Sequence, residues 1–152
     1  MTEPNTLGWD STKWLHDSTD TKRITLFRTL VGDDGASGNL SLHVASTDSL
    51  TGGDYVVPSS RVFDLLYGQY STDNTTDFPI AIQGNQVADT ITSGTLLWCL
   101  KLEMASTEKI NQWNFGGGLH FVAGDYVTPY EFDGATENFK WSFWGWGVES
   151  DA

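Results

Sequence analysis

The sequence predicts an all-β protein: an antiparallel β-sandwich or jelly roll with at most one short helix. Three observations carry this. Apolar runs with period-two alternation are separated by Gly/Asp/Asn turn clusters about every 8–14 residues. One hairpin-like pattern is used twice, as Leu42-His43-Val44 with Gly53-Asp54-Tyr55-Val56-Val57-Pro58, and as Leu119-His120-Phe121 with Gly124-Asp125-Tyr126-Val127-Thr128-Pro129. The third is Thr95 to Met104 (TLLWCLKLEM), the strongest strand signal in the chain.

Residues 1–22 read as a polar arm carrying two isolated tryptophans, Trp9 and Trp14, placed as pegs on the body or on a neighbour. Residues 23–152 read as one sandwich domain. Ile24 to Val31 is β-branched and apolar, hence a strand, and Asp33 to Asn39 is a turn cluster in which Gly supplies positive φ. Leu40, Leu42 and Val44 alternate with polar neighbours, as in a half-buried strand. Each Gly-Asp turn then opens a strand that a Pro stops. The two copies predict equivalent hairpins, with Tyr55 and Tyr126 half-buried beside their prolines.

Pro58 to Tyr67 predicts the one short helix, capped by Ser59 or Ser60 and ended by Gly68. Ser71 to Asp77 is a polar loop and Phe78 to Gln83 a short strand. In Thr95 to Met104, Leu96, Trp98, Leu100 and Leu102 are expected in the core. Cys99, flanked by Trp98 and Leu100, is expected to be a buried thiol. The second hairpin follows Gly116-Gly117-Gly118, and the chain closes on Asn138 to Gly147 (NFKWSFWGWG).

A chain of 152 residues is one domain by length, able to bury about 68–70% of its unfolded surface. Its 20 acidic and 8 basic residues leave a net charge of −12. Nucleic-acid affinity depends on Lys and Arg displacing counterions, so direct nucleic-acid binding is not expected, nor docking on an anionic membrane. A single cysteine excludes an intrachain disulfide. No apolar run approaches the ~20 residues of a spanning helix, and Met1 to Asp10 lacks a signal pattern.

No motif names a reaction, so no catalytic residue, metal or cofactor is assigned. His43 and His120 occupy matching places in the two hairpins with Asp54 and Asp125 following, but no local His pair supplies metal-ligand spacing. Asp33 to Asn39 has oxygen donors suited to calcium, yet not in EF-hand spacing, and a plain turn is the simpler reading. Acid pairs among Glu103, Glu108, Asp125, Glu131 and Asp133 are expected by chance in so acidic a chain. The sharpest candidate is the aromatic tail. Phe139, Trp141 and Phe143 share one strand face and Trp144 and Trp146 the other, so they cannot all enter one core. Core between layers, subunit interface and carbohydrate platform are the three readings. The interface reading assigns Trp9, Trp14, Trp144 and Trp146 to contacts.

Thr92 to Glu103 (TSGTLLWCLKLE) resembles the closing strand of small plus-strand RNA virus capsid jelly rolls, nodavirus-like and tombusvirus-like, in which a Gly-x-Leu strand follows a polar Ser/Thr loop. Leu100 or Cys99 stands where those strands carry an aromatic. The Gly-Asp-Tyr-Val strands look like those of projecting domains from such coats. Coat proteins that package RNA carry a basic arm, whereas Met1 to Asp20 has only Lys13, so the resemblance implies an outward-facing module. The expected role is a non-enzymatic structural or surface module of the virion, a capsid or spike domain. Its expected partners are further copies or other capsid subunits, with a host receptor or glycan beside them. The alternative is a carbohydrate-binding module or lectin.

Overall fold

A computed structural model of the chain describes residues 21–30, 41–44, 53–72, 78–90, 94–102, 110–131 and 141–152. Its strands are β1 (Thr21–Leu30), β2 (His43–Val44), β3 (Arg61–Thr72), β4 (Phe78–Asn85), β5 (Thr95–Leu102), β6 (Ile110–Phe121), β7 (Tyr126–Glu131) and β8 (Trp141–Asp151). They form two antiparallel sheets, ordered β2-β1-β8-β3-β6 and β5-β4-β7. Among the described residues there is no helix.

The segment around β2 joins the sheets. His43 and Val44 pair with β1, and the Leu42 amide donates to the Val127 carbonyl at 2.8 Å. Residues 53–57 then fold back, with Tyr55 N donating to Leu42 O and Val57 N to Asp125 O. The chain therefore runs β1-β8-β3-β6 in one layer and (β2 segment)-β7-β4-β5 in the other, which is a jelly-roll order. The ends of this rolled ribbon meet where the Trp98 ring of β5 packs tilted against Trp113 and edge-on against Phe115 of β6, ring centroids 4.7 and 5.4 Å apart.

The larger sheet sends Ile24, Leu26, Phe63, Leu65, Tyr70, Phe121 and Phe143 into the core. Ile80, Ile82 and Val127 meet them from the smaller sheet, and Leu42, Tyr55 and Val57 from the crossing segment. Each fully buried aliphatic or Phe side chain contributes about 1.5–3 kcal/mol by leaving water.

Several expectations are corrected. Arg61 to Tyr67 is strand and not helix: it is central in the sheet, paired to β8 on one side and β6 on the other. Ser60, the expected cap, has φ +64° and forms a turn before the strand. Gly68 does not stop a helix. It lies under Phe143, where an added Cβ would come within 2.6 Å of the ring. The helical look of this segment has a physical source. A bulge between Leu65 and Tyr67 shifts the strand by one, so Phe63 and Leu65 point inward before it and Gly68 and Tyr70 after it. Alternation is lost in the sequence although the segment is fully extended.

In β5 only Trp98 of the expected core set is described as packing inward. Leu96 and Leu100 are 51% and 42% exposed, and the Leu102 side chain lies outside the described residues. β5 is a sheet edge, and a register shift opposite Ile82 and Gln83 turns Leu97 as well as Trp98 toward the core. Cys99 is consequently exposed rather than buried. Nor is Thr95–Leu102 the closing strand: that place belongs to β8, between β1 and β3. Thr21 and Lys22, assigned to the arm, already pair with Ser150 and Glu149. Trp9, Trp14, Phe139 and the Asp33 to Asn39 turn lie outside the described residues.

Candidate interaction face

The sequence Trp144-Gly145-Trp146-Gly147 decides which way the aromatic tail faces. In β8 the inward positions are Phe143, Gly145, Gly147 and Glu149, all buried. A Cβ at Gly147 would lie 2.2 Å from the Asp64 carbonyl oxygen, and one at Gly145 2.6 Å from that of Tyr67. The space beneath these glycines is filled by Phe63, Leu65 and Phe143. With the inward positions between Phe143 and Glu149 closed to any side chain, period-two alternation places both indoles on the outer face. Phe143 enters the core, and the Trp141 side chain lies outside the described residues.

Neighbouring strands extend this face. Trp144 stands opposite Phe27 of β1 and Gln69 of β3, and Trp146 opposite Thr25 and Tyr67. The Tyr67 ring meets Trp144 edge to face at 5.3 Å. Its hydroxyl donates to Gln112 Oε1 of β6 at 2.6 Å, with Gln69 Oε1 at 3.4 Å. The Arg23 guanidinium lies 4.7 Å over the Trp146 ring, a cation–π contact. Trp144 is 37% exposed, a large apolar area for so big a ring. The β3 bulge contributes here too: it turns Tyr67 outward into this row.

Sequence reading placed Trp144 and Trp146 on one face but missed Phe27, Tyr67, Gln69 and Gln112. Phe27 was open to discovery from the parity of β1, where it falls out of phase with Ile24 and Leu26. Tyr67 was not, because the bulge hides its parity.

The ionisable residues form separate clusters. His43 Nε2 lies 2.8 Å from Asp54 Oδ1, and Arg28 Nη1 contacts both while donating to the Ser41 carbonyl at 3.1 Å. His120 Nδ1 lies 2.8 Å from Asp64 Oδ1. The histidines thus each take their own aspartate. Asp125 is turned inward, accepting from the Val122 amide at 3.0 Å and from Gln86. Tyr55 donates to the buried Glu149 at 2.9 Å, Arg61 Nε donates to that carboxylate at 3.2 Å, and Arg61 also pairs with Asp151. Burial first, then the charge and hydrogen bond of Glu149, push the Tyr55 phenol far above its ordinary value. That network ties the end of β8 to the crossing segment. Among the described residues no group of three or more His, Cys, Asp or Glu is placed to hold a metal ion.

No model of a known protein family matches this chain, and no curated protein matches it.

Proposed function

We propose that this protein is a non-enzymatic structural or surface module of a virus particle, a capsid or projecting domain, that self-associates through the outer face of its larger sheet. The observation that carries the association is the Trp-Gly-Trp-Gly alternation, which closes the inner side of β8 and leaves Trp144 and Trp146 outside beside Phe27 and Tyr67. Aromatics fixed on a rigid sheet lose little entropy on contact and are the side chains enriched at interface centres. The virion assignment draws on the resemblance of the Gly-Asp-Tyr-Val strands, because Thr95–Leu102 does not hold the closing place its sequence resembles. The jelly-roll order fits it, being common to capsid and lectin domains.

Light scattering over a range of concentrations tests this reading: a stable oligomer is expected, and a monomer throughout contradicts it. A second reading is favoured by one detail. The amides of Gln69 and Gln112 lie beside Tyr67 and Trp144, the mixture of ring face and hydrogen-bonding groups that receives a sugar. Titration with free glycans separates the two. Saturable millimolar or tighter binding with a change in tryptophan fluorescence marks a lectin, and its absence leaves the assembly reading standing.

A further inference from the structure

We infer that β5 is a second self-association site, at which two copies join their smaller sheets by pairing β5 with β5 antiparallel across a two-fold axis. β5 is the end strand of its sheet, bonded to β4 through Leu100 opposite Ile80, Cys99 opposite Ala81 and Trp98 opposite Ile82. Among the described residues no strand pairs with its other side, where the backbone amides and carbonyls form a template for one more strand. β6 meets β5 through the Trp98, Trp113 and Phe115 rings and not through a ladder.

The side chains select a second copy as the occupant. Edge strands are ordinarily protected by charges and prolines, yet Thr95–Leu102 holds a single charge, Lys101, and no proline. Its partner β4 holds no charged residue at all. In a chain of net charge −12 this ribbon is a seam where two copies can meet without bringing carboxylates together. The order of residues is also self-compatible. With the two-fold centred on Trp98, Cys99 or Leu100, Lys101 of one copy falls opposite Thr95, Leu97 or Cys99 of the other, and never opposite Lys101. With the two-fold on Trp98, the exposed Leu96 of each copy stands directly opposite the exposed Leu100 of the other. This contact is distinct from the one through Trp144 and Trp146 and does not require it.

Cys99 is the only cysteine and is exposed, so it is a ready probe. For each of these centres the two Cys99 Cα atoms lie within about 10 Å. A nitroxide on Cys99 should show dipolar broadening that disappears when labelled protein is diluted into excess unlabelled protein. The broadening should persist in the Trp144→Ala/Trp146→Ala variant, which reads this contact apart from the aromatic face. In unlabelled protein, Leu96→Lys with Leu100→Lys should weaken pairing at least about tenfold by sedimentation equilibrium, because edge lysines oppose strand addition. An unbroadened spectrum, together with sedimentation that the lysine pair leaves unchanged, overturns the inference.

Discussion

The two Gly-Asp-Tyr-Val segments carry the same residues and put them to opposite use. In the first, Asp54 is exposed, paired with Arg28 and His43, while Tyr55 is buried at 5% exposure and bonded to Glu149. In the second, Asp125 is buried and holds the Val122 amide, while Tyr126 is only half-buried. They also lie side by side, bridged antiparallel at Val56 and Tyr126, with Gly124 N donating to Val57 O. The reversal follows from that register. Directly opposed residues share a sheet face, and the residue opposite Tyr126 is Val56 and not Tyr55. The two tyrosines must therefore point to opposite faces, since a shift of one residue inverts every side chain. A repeated local sequence thus predicts a repeated strand but leaves its inward face to the pairing.

Truncating the tyrosines should separate the copies most. Tyr55→Ala removes a buried ring packed edge-on against Phe63 and takes one of its two side-chain donors from the buried Glu149 carboxylate, which keeps Arg61, so it should cost about 3–5 kcal/mol in urea unfolding. Tyr126→Ala should cost about 1 kcal/mol. Equal losses would break the comparison.

The aspartates come next, in reverse order. Asp125→Ala strips a buried turn of its acceptor and should cost about 1–3 kcal/mol. Asp54→Ala gives up a partly solvated pair with Arg28 and His43, worth about 0–1 kcal/mol. A larger loss at Asp54 would show that the Arg28 cluster, and not the inner turn, holds the crossing segment.

The smallest effect is a pH dependence. The folded protein keeps the Tyr55 proton, while the unfolded chain releases it near pH ~10. The stability tied to that proton is complete below this pH and declines as the pH rises above it. Tyr55→Phe should flatten the alkaline part of the stability curve, and Tyr126→Phe should leave it as in the wild type. An unchanged slope in Tyr55→Phe would mean the phenol is not buried against Glu149 in solution.

What the sequence disclosed depended on whether a strand kept its parity. β1 and the outward Trp144 and Trp146 were legible because their alternation is uninterrupted, and β4 because Phe78 to Ile82 is a short apolar run, the mark of a strand buried on both faces. β3 was read as helix because the bulge at Leu66 places Phe63, Leu66 and Tyr67 at helical spacing behind a Pro-Ser-Ser sequence that mimics a cap. β6 went unread before Gly116-Gly117-Gly118, since Asn111, Gln112 and Asn114 resemble a loop. Its glycines, with φ +62° at Gly116 and +97° at Gly118, absorb the break in register against β3. The β5 leucines were misplaced because edge position is a property of topology, and nothing local in TLLWCLKL announces it.

The most direct test of the self-association reading is sedimentation of the Trp144→Ala/Trp146→Ala variant beside the wild type. An indole at an interface centre is worth about 2 kcal/mol or more, so the variant should associate at least about thirtyfold more weakly. Its far-ultraviolet circular dichroism should be unchanged, because both rings stand outside the core. Association equal to that of the wild type, with the fold intact, would contradict the account.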